Sequence, residues 1–158
     1  MVIISQTKKE EYGGFQSLEI IRVKDILNCP VVLTNQNTSD FTYNTNQTND
    51  AIITPVGETI NLIGTPKKTA GGILYTIKGG FEVMYLDVAV DNLLQDYQEE
   101  NIIIKAYTNN KSFLIYGSLE FPLTFNYSIQ HAKKIETTSK YICSIIGETP
   151  QKPVLAKV

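Results

Sequence analysis

Residues 119–127 read LEFPLTFNY. Leu119, Phe121, Leu123, Phe125 and Tyr127 fall on one side of a two-residue period, and Glu120, Pro122, Thr124 and Asn126 on the other. Successive side chains of a strand point to opposite faces, so this spacing predicts a strand with one buried face. Pro122 has no N–H to give to a ladder and belongs at an edge or a bulge.

The same period extends outward in both directions. Residues 73–78 (ILYTIK) alternate, with Ile73, Tyr75 and Ile77 inward. Residues 141–146 (YICSII) are apolar on both faces and predict a central strand. Two apolar runs, 101–107 (NIIIKAY) and 112–116 (SFLIY), are separated by the polar stretch 108–111, which predicts a β-hairpin. The run 81–90 (FEVMYLDVAV) predicts a long strand entered through Gly79-Gly80. Shorter strands are expected at 17–23, 30–33, 51–54 and 58–63. One helix is expected, capped by Asp91, with Leu93, Leu94 and Tyr97 at helical spacing and an end at Glu99-Glu100-Asn101. It joins two strands, so it should pack on the open face of a sheet. Residues 23–28 carry a weaker helical pattern. The fold class is therefore mainly β, a β-sandwich or barrel with one short flanking α-helix.

Two segments stand apart. In 34–50 (TNQNTSDFTYNTNQTND), all residues but Phe41 and Tyr43 are Ser, Thr, Asn, Gln or Asp. Such a segment buries no core of its own. It is a long loop, a hairpin tip whose Phe41 and Tyr43 reach a partner, or a disordered insert. The tail 147–158, with Pro150 and Pro153, reads as an extended arm. Neither splits the chain, so 1–158 is expected to be a single domain. Phe41, Tyr43, Pro150 and Pro153 become the candidate subunit-contact residues.

Composition narrows the function. With 42% hydrophobic residues in 158, the chain can bury a core and is not compositionally disordered. A net charge of −2 gives no electrostatic pull toward nucleic acid or an anionic membrane. The apolar start of MVIISQTKKEEYGG is four residues long, too short for an export signal, and no run approaches a membrane span. The chain is expected to be soluble and made in the cytoplasm, unless it leaves inside a particle.

Chemistry-bearing patterns are sparse. Cys29 and Cys143 sit in apolar surroundings without CxxC spacing, so two buried free thiols are expected and no metal site. The single histidine, His131, lies among Lys133, Lys134 and Lys140 and reads as a surface residue. Asp87 interrupts an apolar run and is expected at a strand end or capping a turn. The pairs Gly13-Gly14, Gly71-Gly72 and Gly79-Gly80 form no phosphate-binding motif; they read as turn glycines. The Asn/Thr content accounts for the sequons at Asn37, Asn46 and Asn126. No catalytic, cofactor-binding or metal-binding residues are assigned. A strand-rich chain with a polar loop and a tail fits an assembly subunit. The rival is a carbohydrate- or ligand-binding β-sandwich module using Phe41 and Tyr43.

The C-terminal half also resembles small structural proteins from the tail-morphogenesis gene blocks of Bacteroidetes-type (crAss-like) tailed phages. The shared pattern is GG-x-LY-x-I at 71–77, a Leu-Leu helix at Leu93 and Leu94, and a hairpin ending in Tyr116-Gly117. It continues with FPL-x-F at 121–125 and a Tyr-led strand closing on GET-x-x-x-P by Pro153. The resemblance covers about half of the chain. It implies a tail-tube-like, tail-completion or head–tail connector protein, without cofactors, and with no residues carried over as catalytic. Its partners would be copies of itself in a ring and neighbouring tail or portal-complex proteins, with DNA passing non-specifically and no membrane. Its place would be the virion.

Overall fold

The computed structural model describes residues 14–44, 51–53, 59–84, 86–134 and 137–157, with 51–53 as backbone only. The rest of the polar segment, 45–50, lies outside the described residues. The elements in chain order are β1 Phe15–Arg22, β2 Ile26–Asn28, β3 Thr42–Tyr43, β4 Ala51–Ile53, β5 Asn61–Thr69, β6 Gly72–Val83, α1 Val88–Tyr97, β7 Asn101–Thr108, β8 Ser112–Tyr116, β9 Leu123–Gln130, β10 Lys140–Thr149 and β11 Val154–Lys157. Short 3-10 turns at Val23–Asp25 and Thr38–Asp40 flank β2 and β3. The protein is mainly β, as expected, a curled sheet forming a half-barrel around one helix. No helix among the described residues is long and apolar enough to cross a membrane.

Nine strands form one antiparallel sheet, and β7 is where it forks. On one side β7 pairs with β1, which carries β4. On its other side the C-terminal part of β7 pairs with β8, opposite Tyr107 to Ile104, and β8 carries β11. The start of β7 pairs with β9 only at Asn101↔Thr124 and Ile102↔Leu123. From there β9, β10, β6 and β5 continue as a second wing. Gly117 makes the corner between β8 and β9 at φ +92°, a conformation that favours glycine. Residues 118–121 close the turn through Ser118 N–H to the Phe121 carbonyl and Phe121 N–H to Ser118 Oγ. The strand expected over 119–127 therefore begins later, at Leu123. Its phase is as read, with Leu123 and Phe125 fully buried, while Leu119 and Phe121 lie in the corner turn. Pro122 immediately precedes the strand.

Both faces of β7 are covered. Ile102, Ile104 and Ala106 join the main core inside the curl with Leu18, Ile77, Phe81, Leu94, Phe125 and Ile145. Ile103 faces a second cluster with Ile21, Leu33, Phe41, Phe113, Ile115, Val154 and Ala156. This two-sided burial explains the unbroken Ile102-Ile103-Ile104 run. The hairpin expected at 101–116 forms, with Lys111 at φ 56° in its turn.

The helix differs from expectation at its start. Asp87, not Asp91, is the residue before the first turn, and Asp91 N–H already donates to the Asp87 carbonyl at 2.9 Å. The strand expected at 81–90 is thus divided: 81–83 end β6 and 88–90 begin α1. Tertiary contacts override the β-propensity of Val88 and Val90. Leu94 and Tyr97 enter the core, and Tyr97 meets Phe125 edge-on at 6.4 Å. Tyr127 and Tyr141 donate their hydroxyls to Asp91 Oδ1 and the Asp87 carbonyl, each at 3.3 Å.

The helix end closes the fork. Beyond Thr124 the edge of β9 has left β7. Glu99 N–H donates to the Phe125 carbonyl at 2.8 Å, and Tyr127 N–H donates to Gln98 Oε1 at 3.1 Å. Gln98 Nε2 then donates to Asn126 Oδ1 at 2.7 Å. Backbone groups that would otherwise be orphaned are satisfied this way.

Gly79-Gly80 is not a turn. Both residues lie inside the twelve-residue β6, between β5 and β10. A Cβ at Gly79 would stand 1.8 Å from the Asn61 carbonyl oxygen, and one at Gly80 would stand 2.0 Å from the Cys143 carbonyl oxygen. No real Cβ makes such contacts, so either substitution must displace a neighbouring strand. Further along the β5–β6 ribbon, residues 65–73 are all exposed. We expect Gly79→Ala and Gly80→Ala each to cost more than about 3 kcal/mol in denaturant unfolding. Gly71→Ala, with nothing within 4 Å of the added methyl, should leave the midpoint nearly unchanged.

Candidate functional site

The four candidate contact residues are placed differently from one another. Phe41 is 7% exposed and sits in the second core cluster of its own chain, against the ring of Tyr43 at 5.4 Å. Tyr43 is half-buried and donates its hydroxyl to Glu19. Both aromatic rings of the polar segment thus turn inward, onto the face of the sheet that the half-barrel leaves open. Leu33, expected in a strand, plugs the same cluster from a loop.

The C-terminal segment is likewise not a free arm. Residues 147–149 finish β10, and Val154–Lys157 pairs with β8 in register Val154↔Ile115 to Lys157↔Ser112. Pro150 is exposed and Pro153 half-buried. With Val32, Leu33 and Leu155 they line a groove of about 640 Å³ beside the β11 edge.

A polar cluster lies under the segment 23–44. Glu19 is buried on β1 and accepts hydrogen bonds from Tyr43 and from Tyr107, the latter at 3.0 Å. Lys105 Nζ stands 4.4 Å over the ring of Phe113 and 5.4 Å over that of Tyr107. Burial, followed by the adjacent Glu19 carboxylate, raises the Tyr107 pKa well above its ordinary value. The Tyr43–Glu19 hydrogen bond ties segment 23–44 to the sheet, and the other contacts join β1, β7 and β8 to one another. The space beside Glu19, near Arg22 and Asp25, is about 10 Å³, too small for a ligand.

His131 is exposed in the loop after β9, whereas Cys143 is buried in the main core and faces inward from β10. Burial pushes the Cys143 thiol up to about 12. Cys29 is half-buried, and both cysteines are free thiols. His131, Lys133 and Lys134 border an open basin of about 740 Å³, where Lys140 is already paired with Glu82 at 2.8 Å. Among the described residues no three His, Cys, Asp or Glu side chains come together as a metal-binding group.

The surface that stands out was not singled out from the sequence. It is the solvent face of the wing β9–β10–β6–β5. Register places Thr124, Ile146, Lys78 and Ile63 in one cross-strand row. Asn126, Ser144, Gly80 and Asn61 form the next, and Ser128, Ile142 and Glu82 the one beyond. Ile63, Ile146 and Ile142 are 55%, 51% and 36% exposed. Asn61, Thr124, Asn126, Ser128 and Ser144 lie between them, and Lys67, Lys78, Glu82, Lys140 and Glu148 carry charge on the same face. The two-faced apolarity of 141–146 was its only signal. That pattern predicted a central strand, which β10 is, but among the described residues only one of its faces is covered.

Comparison with protein-family models, with curated proteins and with solved structures finds no match to this chain.

Two outcomes follow from the buried groups. Glu19→Ala removes the acceptor of two tyrosine hydroxyls and should cost about 2–3 kcal/mol in equilibrium unfolding. For Cys143 the folded state favours the neutral thiol. Its contribution is intact below the unfolded-state pKa near 9 and is lost as pH rises from there toward about 12. Chemical-denaturation midpoints should therefore fall with a slope of up to about 1.4 kcal/mol per pH unit from this group. Cys143→Ala should flatten that fall.

Proposed function

We propose that the chain is a non-enzymatic structural subunit that works by assembling with copies of itself. The specific form is the one implied by the resemblance of its C-terminal half: a virion protein of a tailed phage, forming a ring of tail-tube-like architecture in the tail or head–tail connector. The single observation that carries the reading is the face of β9–β10–β6–β5 that the described residues leave exposed. Isoleucines exposed on a regular, low sheet face are expensive to leave in water, and surfaces of this kind mark contact sites.

The exposed end of the β5–β6 ribbon supports the same reading, because it extends sheet structure beyond what this chain's own core requires. Contacts made by one face on a differently placed surface of the next copy generate closed rings when the rotation closes. In the proposed ring, neighbouring tail or portal-complex proteins would stack on the same subunits. The net charge of −2 suits an inner wall past which DNA slides without being gripped. The rival carbohydrate-binding reading loses its main support, since Phe41 is built into the core.

The test is size-exclusion chromatography with light scattering over a wide concentration range, alone and with a tail or portal partner. Association is expected for the native chain and loss of it for Ile63→Glu/Ile146→Glu. Both positions are exposed, so the melting midpoint should move little, by about 0.5 kcal/mol or less. A strict monomer under every condition would overturn the proposal.

A further inference from the structure

The solvent face of β9–β10–β6–β5 carries an ordered pattern of charge. The cross-strand row through Ser144 on β10 and Gly80 on β6 is its midline. One row to one side stand Ile146 and Lys78; one row to the other side stand Ile142 and Glu82, in the same two strands. Two rows out on β10 are Glu148 on the first side and Lys140 on the second. The two-residue period puts all of these side chains on one face. At equal distances from the midline, each strand thus presents isoleucine with isoleucine, or lysine with glutamate. Within the chain one ion pair joins them, Lys140 Nζ to Glu82 Oε2 at 2.8 Å. Lys78 and Glu148 are exposed and make no ion pair among the described residues.

This symmetry decides how the face can meet a copy of itself. Sheets that pack face to face with their strands aligned stand about 10 Å apart, and the side chains between them choose the axis. A twofold axis parallel to the strands fits badly. Placed between β10 and β6, it sets Ile146 on the partner's Lys78 and Ile142 on the partner's Glu82, which covers charge with hydrocarbon. Placed along β10, it sets Glu148 on the partner's Glu148 and Lys140 on the partner's Lys140, like charge on like. A twofold axis along the Ser144–Gly80 row keeps each strand over its own counterpart and inverts its direction. Ile146 then meets the partner's Ile142, Lys78 the partner's Glu82, and Glu148 the partner's Lys140. Each contact occurs twice. The Lys140–Glu82 pair of one copy lies over the partner's Glu148 and the partner's Lys78, so four charges alternate in sign.

We propose that this face packs against the same face of a second copy, about a twofold axis along the Ser144–Gly80 row. The pairing rests on the assembly reading and deepens it, since it names the partner surface and the residues in register. A ring built from such pairs has an even number of copies and is closed by a second, different contact.

Charge reversals carried on separate chains test the pairing by light scattering. Lys78→Glu has glutamate at both 78 and 82, and Glu82→Lys has lysine at both. Across the axis each variant opposes like charges when it pairs with itself, so each alone should dimerise about tenfold or more weakly than the native chain. Mixed one to one, the two variants oppose unlike charges at both sites and should associate to within about threefold of native. Lys140→Glu with Glu148→Lys makes a second, independent mixture with the same expected result. A circular-dichroism melt of each variant alone checks that it is folded. A native chain that associates while both mixtures stay as dissociated as the single variants overturns the twofold contact and leaves the assembly reading standing. So do single variants that associate as tightly as the native chain. A native chain that is monomeric at every concentration overturns both.

Discussion

Everything in this fold hangs on a strand that is buried on both sides. Ile102 and Ile104 face the interior of the curl and Ile103 faces the opposite way, all three fully buried. Neither wing of the sheet supplies that environment alone. The inner face needs the second wing and α1; the outer face needs segment 23–44 with Leu33 and Phe41. Each fully buried isoleucine is worth roughly 1.5–3 kcal/mol relative to exposure. That gain, repeated along one strand, ties together elements that are far apart in sequence.

The fork creates a problem that the helix solves. When β9 leaves β7, its backbone would face a gap at the centre of the molecule. The residues that end α1 stand in for a strand there, one through its main chain and the other through its side-chain amide. Glu99 adopts a left-handed conformation at φ 60° to do so, and Gln98 bonds to β9 in both directions. The helix is thus a sheet component as much as a packing element, which is why its first turn is set by tertiary bonds from Tyr127 and Tyr141.

What was legible in the sequence follows from how local each signal is. The β7–β8 hairpin could be read because the turn and both apolar runs are contiguous. The phase of β9 was right for the same reason, although its first residues are drawn into the corner at Gly117. The start of α1 was misread because Asp87-Val88-Ala89-Val90 is β-prone, and the contacts on its first turn come from Tyr127 and Tyr141, 36 and 54 positions from their partners. Gly79-Gly80 looked like punctuation; only the neighbouring strands show that it marks a close approach of three backbones. Phe41 looked like a reaching aromatic because its neighbours are polar, and nothing local shows that an open sheet face lies beneath it. For 141–146, two-faced apolarity cannot distinguish a face covered by the same chain from one left bare. The surface on which the functional reading rests was therefore hidden in a run that read as core.

The β5–β6 ribbon combines a rigid base with an unconstrained end. At Gly79-Gly80 the backbones are too close to admit a methyl group, whereas residues 65–73 are exposed and only Gly72, at φ +124°, requires glycine there. Mutational tolerance should therefore change abruptly along one hairpin, from near zero at the base to broad at the tip. In engineering terms the tip is a graft site: a peptide epitope or a reporter placed between Thr69 and Gly72 is carried away from the body on a strut whose geometry the base enforces.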